Sequence, residues 1–240
     1  MEIVDYTLDD HVAIVTMNSK DNRFNLTFLE AFMDVLDKIE NETKAGAIVV
    51  RSAHEKIWSN GIDLDWLFPT IENEGPEAAK KFFTKLMGLL RRILTYPMIT
   101  VAAINGHAFA GGALLACAFD FRFMRSDRGF FCLPEIDLKI PFLPGMDAIV
   151  KKATPTKSLE MEFTGVRLTA QECEQYGLVK KACHLDDLMD EVLSFAKSMN
   201  KDRETLSIMK NTTFMDIIRI MDEADPGRIE KMSAKFLSYK

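Results

Sequence analysis

The feature that most constrains this chain is an apolar, strand-like run that leads into two glycines at the start of an apolar helix. Residues 99–104 form the run, and Gly111 and Gly112 open the helical stretch. The first turn of a helix has backbone N–H groups without intrahelical partners, at the positive end of the helix dipole. Because glycine has no Cβ, a ligand can approach this backbone closely. The pattern predicts an oxyanion-binding turn, and its competing interpretation is a tight helix–strand contact that needs small residues.

A second segment of the same kind lies earlier in the chain. Residues 54–64 follow the strand-like run 47–51 and contain Ser59 and Gly61. This segment again offers small residues and exposed amides where a strand passes into a helix. Two such turns in one chain favour the oxyanion interpretation over simple packing.

Together these segments resemble the paired oxyanion-hole segments of the crotonase superfamily, the enoyl-CoA hydratases and isomerases. Further landmarks follow in the family's order over about residues 2–200: Arg23-Phe24-Asn25, Leu133-Pro134-Glu135-Ile136, and the stretches 163–172 and 176–179. The resemblance implies an α/β fold, a crotonase-like spiral of ββα units with a C-terminal helical region. We expect residues 1–195 to form the spiral core and residues 196–240 the helical region.

Hydrophobic periodicity predicts the elements of that core. It indicates an opening hairpin, alternating helices and strands, and a helical end broken at 225–227. The hairpin strands are 2–6 and 12–17, the helices 27–42 and 76–95, and the later strands 46–51, 99–104 and 119–124. Short strand–helix–strand intervals are typical of right-handed crossovers. In the last 40 residues, six apolar positions including Met209 form one apolar helical stripe.

Composition excludes several classes of protein. With 48% hydrophobic residues in 240, the chain can bury one large core, and a net charge of −6 without a basic stripe argues against nucleic-acid binding. Four cysteines without CxxC spacing predict reduced, buried thiols, and no cluster has metal-ligand spacing. We expect no membrane span, no signal peptide and a cytoplasmic protein, since Leu237-Ser238-Tyr239-Lys240 is not a Ser-Lys-Leu peroxisomal address.

The resemblance implies which groups carry chemistry. It assigns the oxyanion donors to the backbone amides of Ile62 and Gly111. Hydratases of the family use two glutamates, and these positions fall on Leu114 and Glu135. Moving a double bond from C3 to C2 needs one base, whereas adding water needs a second group. The single carboxylate is therefore closer to the Δ3,Δ2-enoyl-CoA isomerase branch, with Glu135 as catalytic residue and proton shuttle.

The resemblance also implies how an acyl-CoA thioester would bind. Arg23 is expected at the phosphate end, with Lys20 and Lys56 near the same loops, and the backbone of Ser59 and Asn60 is expected to face adenine. Expected acyl contacts are Trp66, Leu114 and Phe142, with Leu67, Phe68, Leu86 and Leu143 as further candidates. No cofactor beyond the coenzyme A of the substrate is expected, and a homotrimer or hexamer is implied.

Two alternatives remain open at this point. The chain is a hydratase or related lyase if Asp137 or another carboxylate supplies the missing acid. It is a CoA-binding paralogue without turnover if the fold has lost its catalytic function. For His107 a structural role is expected, and Asp63 and Asp120 are expected to cap or pair locally.

Overall fold

The computed structural model describes residues 2–236, and the strands of this part of the chain form three sheets. Residue 1 and residues 237–240, on which the expectation about the chain end falls, lie outside the described residues. The strands are β1 Val4–Asp9, β2 Val12–Met17, β3 Arg23–Phe24, β4 Ala47–Ser52, β5 Ile57–Ser59, β6 Gly61–Ile62, β7 Ile99–Ile104, β8 His107–Phe109, β9 Phe121–Arg125, β10 Phe131–Cys132 and β11 Lys181–Cys183.

The helices lie between these strands, except for the last four, which follow β11. They are α1 Leu26–Glu42, α2 Leu64–Glu74, α3 Pro76–Leu94, α4 Gly111–Ala118, α5 Pro144–Ala153, α6 Ser158–Thr164, α7 Ala170–Gln175, α8 Leu185–Lys197, α9 Arg203–Thr213, α10 Met215–Glu223 and α11 Asp225–Ser233, with a 3₁₀ helix at Pro134–Ile136. The predicted hairpin, helices and central strands are confirmed within a few residues, although β9 begins at Phe121 rather than at residue 119.

The main sheet has the order β1-β2-β4-β7-β9-β11, and only its first pair is antiparallel. Each parallel step leaves this sheet, adds one short strand to a smaller sheet (or, between β4 and β7, one to each), and returns through one or more helices. The second sheet, β10-β8-β5, collects the short strands of three successive turns. This confirms the expected spiral of ββα units, and it stacks the turns after β5 and β8 next to each other.

Both faces of the main sheet are covered by helices, which explains why its central strands are uninterrupted apolar runs. Every residue of β7 is buried. One face packs on the larger core, to which α1, α3 and α4 contribute, and α8 covers the other face with Leu188 and Val192. The predicted apolar stripe of α3 is buried along its length.

The C-terminal helices are fastened to this core by buried polar contacts. Lys210 Nζ lies 2.6 Å from Asp120 Oδ2 and donates to Met98 O at 2.8 Å, and Gly145 N donates to Asp225 Oδ1 at 2.9 Å. The expected break before a last helix is present, but it lies at Ala224, and residues 225–227 open α11 because proline fits the first helical turn. Met209 is 59% exposed, so the apolar stripe of these helices is only partly buried.

The division at residue 195 stays a prediction, and α8 continues past it to Lys197. All four cysteines are free and buried, as predicted. Among residues 2–236, no helix is both long enough and apolar enough to cross a membrane. The same residues contain no group of three or more histidine, cysteine or carboxylate side chains that could hold a metal ion.

Candidate active site

The predicted oxyanion segments meet backbone to backbone. A Cβ added to Gly61 would lie 2.4 Å from Gly111 N, and one added to Gly112 would lie 2.4 Å from Ser59 O. Both distances are shorter than any real Cβ contact, so these positions require glycine. A Cβ on Gly111 would lie 3.4 Å from Ile62 N, which places the two predicted amides side by side.

The N–H groups of these two residues are directed away from the surrounding ladders. Gly111 is the first residue of α4, so its N–H has no intrahelical acceptor. On either side of Ile62, Gly61 N donates to Ser59 Oγ at 3.1 Å and Asp63 N donates to Phe24 O at 3.0 Å. Because successive groups of a strand alternate in direction, the Ile62 N–H points away from β3.

An unusual backbone conformation sets the direction of the Gly111 amide. Ala110 has φ 50° and ψ −129°, a region that side-chain-bearing residues rarely adopt, and its own N–H donates to Cys132 O at 3.0 Å. Such a conformation persists only where the surroundings hold it in place. Here β10 holds the residue before Gly111, and this fixes where the first amides of α4 point.

Ser59 serves this geometry through its side chain. It is fully buried, and its Oγ donates to Asn22 O at 2.7 Å while accepting from Gly61 N. Asn22 Nδ2 in turn donates to Ser52 Oγ at 2.8 Å and to Trp58 O at 2.9 Å. Asn60 N donates to Asp21 O at 3.1 Å. The predicted adenine-facing segment is thus tied to the loop that precedes β3.

A narrow inner cavity adjoins the two amides. Its walls include Ile62, Gly111, Leu114, Glu135 and Phe142, together with Phe83, Leu86, Ile140, Pro141 and Met146. Its volume of about 20 Å³ accommodates one water molecule, so an acyl group can enter only if a wall moves. The structure therefore brings together the predicted donors, Glu135 and two of the three predicted acyl contacts.

Trp66, the third predicted acyl contact, lies elsewhere. Its ring packs 5.7 Å from that of Phe82, and it is not part of the cavity wall. Phe68 packs on Phe236 at 5.4 Å, and Leu67 is fully buried in the core. Helical spacing on α2 does not reveal which apolar side chains reach the site, because that depends on how α2 docks on α3.

Glu135 projects from the 3₁₀ helix into an apolar environment. Its Oε2 is buried without a hydrogen-bond partner in the described part of the chain. Burial raises the pKa of Glu135 to about 8, opposed by the hydrogen bond from its own backbone N–H and assisted by the negative charge of Glu162. A carboxyl group with this pKa can both accept and return a proton near neutral pH.

An outer cleft, which shares Glu135 and Phe142 with the inner cavity, contains a carboxylate that sequence reasoning missed. This cleft has a volume of about 450 Å³, and Glu162 and Phe163 line it with Glu135 and Phe142. Burial and the neighbouring Asp147 raise the pKa of Glu162 to about 7. No local signal marks Glu162, because only the docking of α6 on the 3₁₀ helix brings it to the site.

Arg23 lies in a separate polar cleft and is already paired with carboxylates. Its guanidinium lies 2.7 Å from Asp65, 3.5 Å from Asp21 and 3.9 Å from Asp63, and Lys20 lines the same cleft. Asp63 also caps α2 by accepting from Trp66 N at 3.3 Å, as predicted. To bind a phosphate, Arg23 would have to exchange these partners.

The two remaining candidates have structural roles. His107 Nδ1 accepts from Phe130 N at 3.3 Å, and burial with the charges of Arg128 and Arg167 lowers its pKa. Asp120 accepts from the backbone and side chain of Thr100 and pairs with Lys210. The structural interpretations of both residues are confirmed.

Comparisons with known proteins agree with this geometry. The model of the family described as enoyl-CoA hydratase/isomerase matches residues 7–232. The enoyl-CoA delta isomerase 3 of Arabidopsis thaliana is 26% identical, covering 87% of this chain and 91% of that protein. The carnitinyl-CoA dehydratase of Shigella flexneri is 31% identical over 82% and 70% of the two chains. A crystal structure of an enoyl-CoA hydratase/isomerase family protein from Pseudomonas syringae superimposes with a TM-score of 0.85 at 23% identity, covering 96% of each chain.

Replacing Gly61 by alanine tests the contact between the two turns. Gly177 is the matched control, because it also has a positive φ but no atom within 4 Å of an added Cβ. We expect Gly177→Ala to cost about 1 kcal/mol for its backbone conformation, and Gly61→Ala to cost at least about 2 kcal/mol more because backbone must shift. Urea denaturation measures both, and equal losses would contradict the contact.

Burial of Glu135 predicts a pH-dependent stability. Because the pKa rises from 4.5 to about 8 on folding, the folded protein binds the proton more tightly and loses stability as pH rises from about 4.5 to 8. Glu135→Gln removes this loss, because glutamine does not ionise. At about 1.4 kcal/mol per pKa unit, the free energy of unfolding of the variant should exceed that of the parent by a few kcal/mol at pH 9 and equal it at pH 5. Denaturation at both pH values measures this, with the exposed Glu160→Gln as control.

Proposed function

The chain belongs to the enoyl-CoA hydratase/isomerase family, and we propose that it moves the double bond of a 3-enoyl-CoA thioester to the 2-position. The observation that carries the proposal is the composition of the inner cavity. Two backbone amides, of Ile62 and Gly111, share it with a single carboxylate, Glu135, while Leu114 supplies only hydrocarbon. One base beside an oxyanion site suits a proton shuttle.

The reaction would proceed by two proton transfers. The thioester oxygen accepts hydrogen bonds from the Ile62 and Gly111 amides, which stabilise the negative charge as it develops. Losing one such donor typically costs about 10²–10³ in rate. The Glu135 carboxylate removes a proton from C2, the electron pair spreads over a dienolate, and the same carboxyl group returns a proton to C4.

Substrate binding follows from the same proposal. Coenzyme A is part of the substrate, and the reaction requires no redox cofactor because it only moves protons and a double bond. Leu114 and Phe142 would contact the acyl group, and Trp66 would act only indirectly, by supporting α2 against α3. Arg23 would meet the phosphate end after releasing Asp65, next to the backbone of Ser59 and Asn60.

Two other functions keep support. A hydratase or related lyase needs a second acid, and Glu162 in the outer cleft is a better candidate than the exposed Asp137. The dehydratase of Shigella flexneri, 31% identical, favours this class. A CoA-binding paralogue without turnover is disfavoured by the raised pKa of Glu135, since a purely binding site needs no desolvated base.

We also propose a cytoplasmic homotrimer or hexamer. Large apolar side chains remain exposed on the C-terminal helices, where a second copy would cover them. They are Ile208, Met209 and Met215, each 59–62% exposed.

Glu135→Gln should abolish isomerisation of 3-hexenoyl-CoA, because the amide keeps the shape of the side chain but cannot accept the C2 proton. We expect a loss of at least about 10³ in kcat, with KM nearly unchanged. In the parent, kcat/KM should rise about tenfold per pH unit and level off near pH 8, where Glu135 is ionised. Product analysis of both proteins measures this, and a variant within tenfold of the parent would refute the assigned role.

The hydrocarbon at Leu114 predicts that the parent forms negligible 3-hydroxyhexanoyl-CoA from 2-hexenoyl-CoA. Leu114→Glu, with Leu114→Gln as a neutral control of similar size, should gain hydration where it folds, because it restores a second carboxylate. Product analysis after incubation of 2-hexenoyl-CoA in isotopically labelled water shows whether water has been added to the double bond. Robust hydration by the parent would contradict the isomerase proposal and favour the hydratase alternative.

A further inference from the structure

Two carboxyl groups face the outer cleft from different elements, and each keeps one oxygen unpaired. Glu135 reaches it from the 3₁₀ helix and Glu162 from α6. Glu135 Oε2 and Glu162 Oε1 are both buried and without a hydrogen-bond partner, and within residues 2–236 neither glutamate forms an ion pair. Buried polar atoms are normally paired, so two orphaned carboxyl oxygens in one cleft require an explanation.

The cations near this cleft are already engaged elsewhere or exposed to solvent. On α5, Lys151 pairs with Asp147 at 2.8 Å, and on α6, Lys157 pairs with Glu160 at 2.6 Å. The other titratable groups around the pair are Asp137 and Lys139, both exposed, and Cys117, a buried thiol of α4. At Glu162, burial, the charge of Asp147 and a hydrogen bond with it raise the pKa, and the charge of Lys151 only partly offsets them. Together with burial, the charge of Glu162 in turn raises the pKa of Glu135, and no cation of the described residues opposes that effect.

Two desolvated carboxyl groups near each other do not ionise independently. Removal of the first proton makes removal of the second more difficult, so the pair holds one proton over a wide pH range. The raised pKa values of both groups agree with this, since the charge of Glu162 is one cause of the shift at Glu135. Asp147 and Lys151, each partly exposed, continue the row of charged groups to the surface.

We propose that Glu162 is a positioning residue that shares one proton with Glu135 and exchanges it with solvent during turnover. This rests on the proposed isomerase function. When the C2–H bond breaks, its electron pair enters the dienolate and the proton binds Glu135. Because Glu135 is ionised at the start, the shared proton lies on Glu162, which releases it to solvent and then accepts the C2-derived proton from Glu135. A solvent-derived proton returns by the same route to Glu135. Glu135 then protonates C4, where the new C–H bond uses the electron pair of the dienolate, so nothing is oxidised or reduced.

The exchange is measured by isomerising 3-hexenoyl-CoA in D₂O. We expect the parent to place deuterium at C4 of most product molecules. Glu162→Gln should isomerise within tenfold of the parent rate but reduce the deuterium at C4 at least threefold, because the C2 proton stays on Glu135. Glu160→Gln, on the same helix, should label as the parent does. Parent-like labelling by Glu162→Gln would overturn the proposal.

A second measurement does not depend on activity. Titration of ¹³C-labelled glutamate carboxyl groups by NMR, with Glu135→Gln used to assign the signal, gives the midpoint of Glu135 in the free protein. Glu162→Gln should lower that midpoint by at least one pH unit, and Glu160→Gln should leave it unchanged. If the titration midpoint of Glu135 is unchanged in Glu162→Gln, the proposal that the two glutamates share a proton is overturned. If the midpoint shifts but the parent does not isomerise 3-hexenoyl-CoA, only the proposed function is contradicted.

Discussion

The site depends on one close approach, between the backbones of Gly61 and Gly111. These residues belong to different turns of the spiral, and each turn ends a strand and begins a helix. Because a Cβ at Gly61 or Gly112 would overlap backbone atoms, the two turns touch only where glycine permits it. This contact aligns the amides of Ile62 and Gly111 without any side chain, which is why two main-chain donors can be held so rigidly.

The rest of the scaffold holds that contact in place. Ser59 and Asn22 brace the first turn with buried hydrogen bonds, and β10 holds Ala110 in a conformation that the residue would not adopt by itself. Such bonds are costly to leave unmade in a buried environment. Ala110 has a positive φ, which is unfavourable for a residue with a side chain, and its hydrogen bond to β10 compensates for that cost. Strained backbone of this kind is common at functional sites.

Desolvation gives the site its chemistry and reduces its stability. Leu114, Phe142 and the apolar face of α3 exclude water from the inner cavity, and this raises the pKa of Glu135 to about 8. The same apolar walls penalise the ionised carboxylate that the reaction needs. Stability and function therefore oppose each other at this residue, a common trade-off in active sites. The inner cavity is also too narrow for an acyl group, so one of its walls must move before a substrate can enter.

Sequence by itself determined the architecture and the backbone part of the site. Uninterrupted apolar strands, helical stripes and the two glycine turns are local patterns, and they predicted the alternating elements and the oxyanion-binding turns. The spiral and the roles of Ile62, Gly111 and Glu135 were implied by the resemblance of these motifs to the enoyl-CoA hydratase/isomerase family. Only the tertiary structure decided which side chains surround them. Trp66 turned toward Phe82, Arg23 was found among three aspartates, and Glu162 reached the cleft from α6. Periodicity specifies which face of a helix is buried, but which neighbour that face meets depends on how distant helices dock.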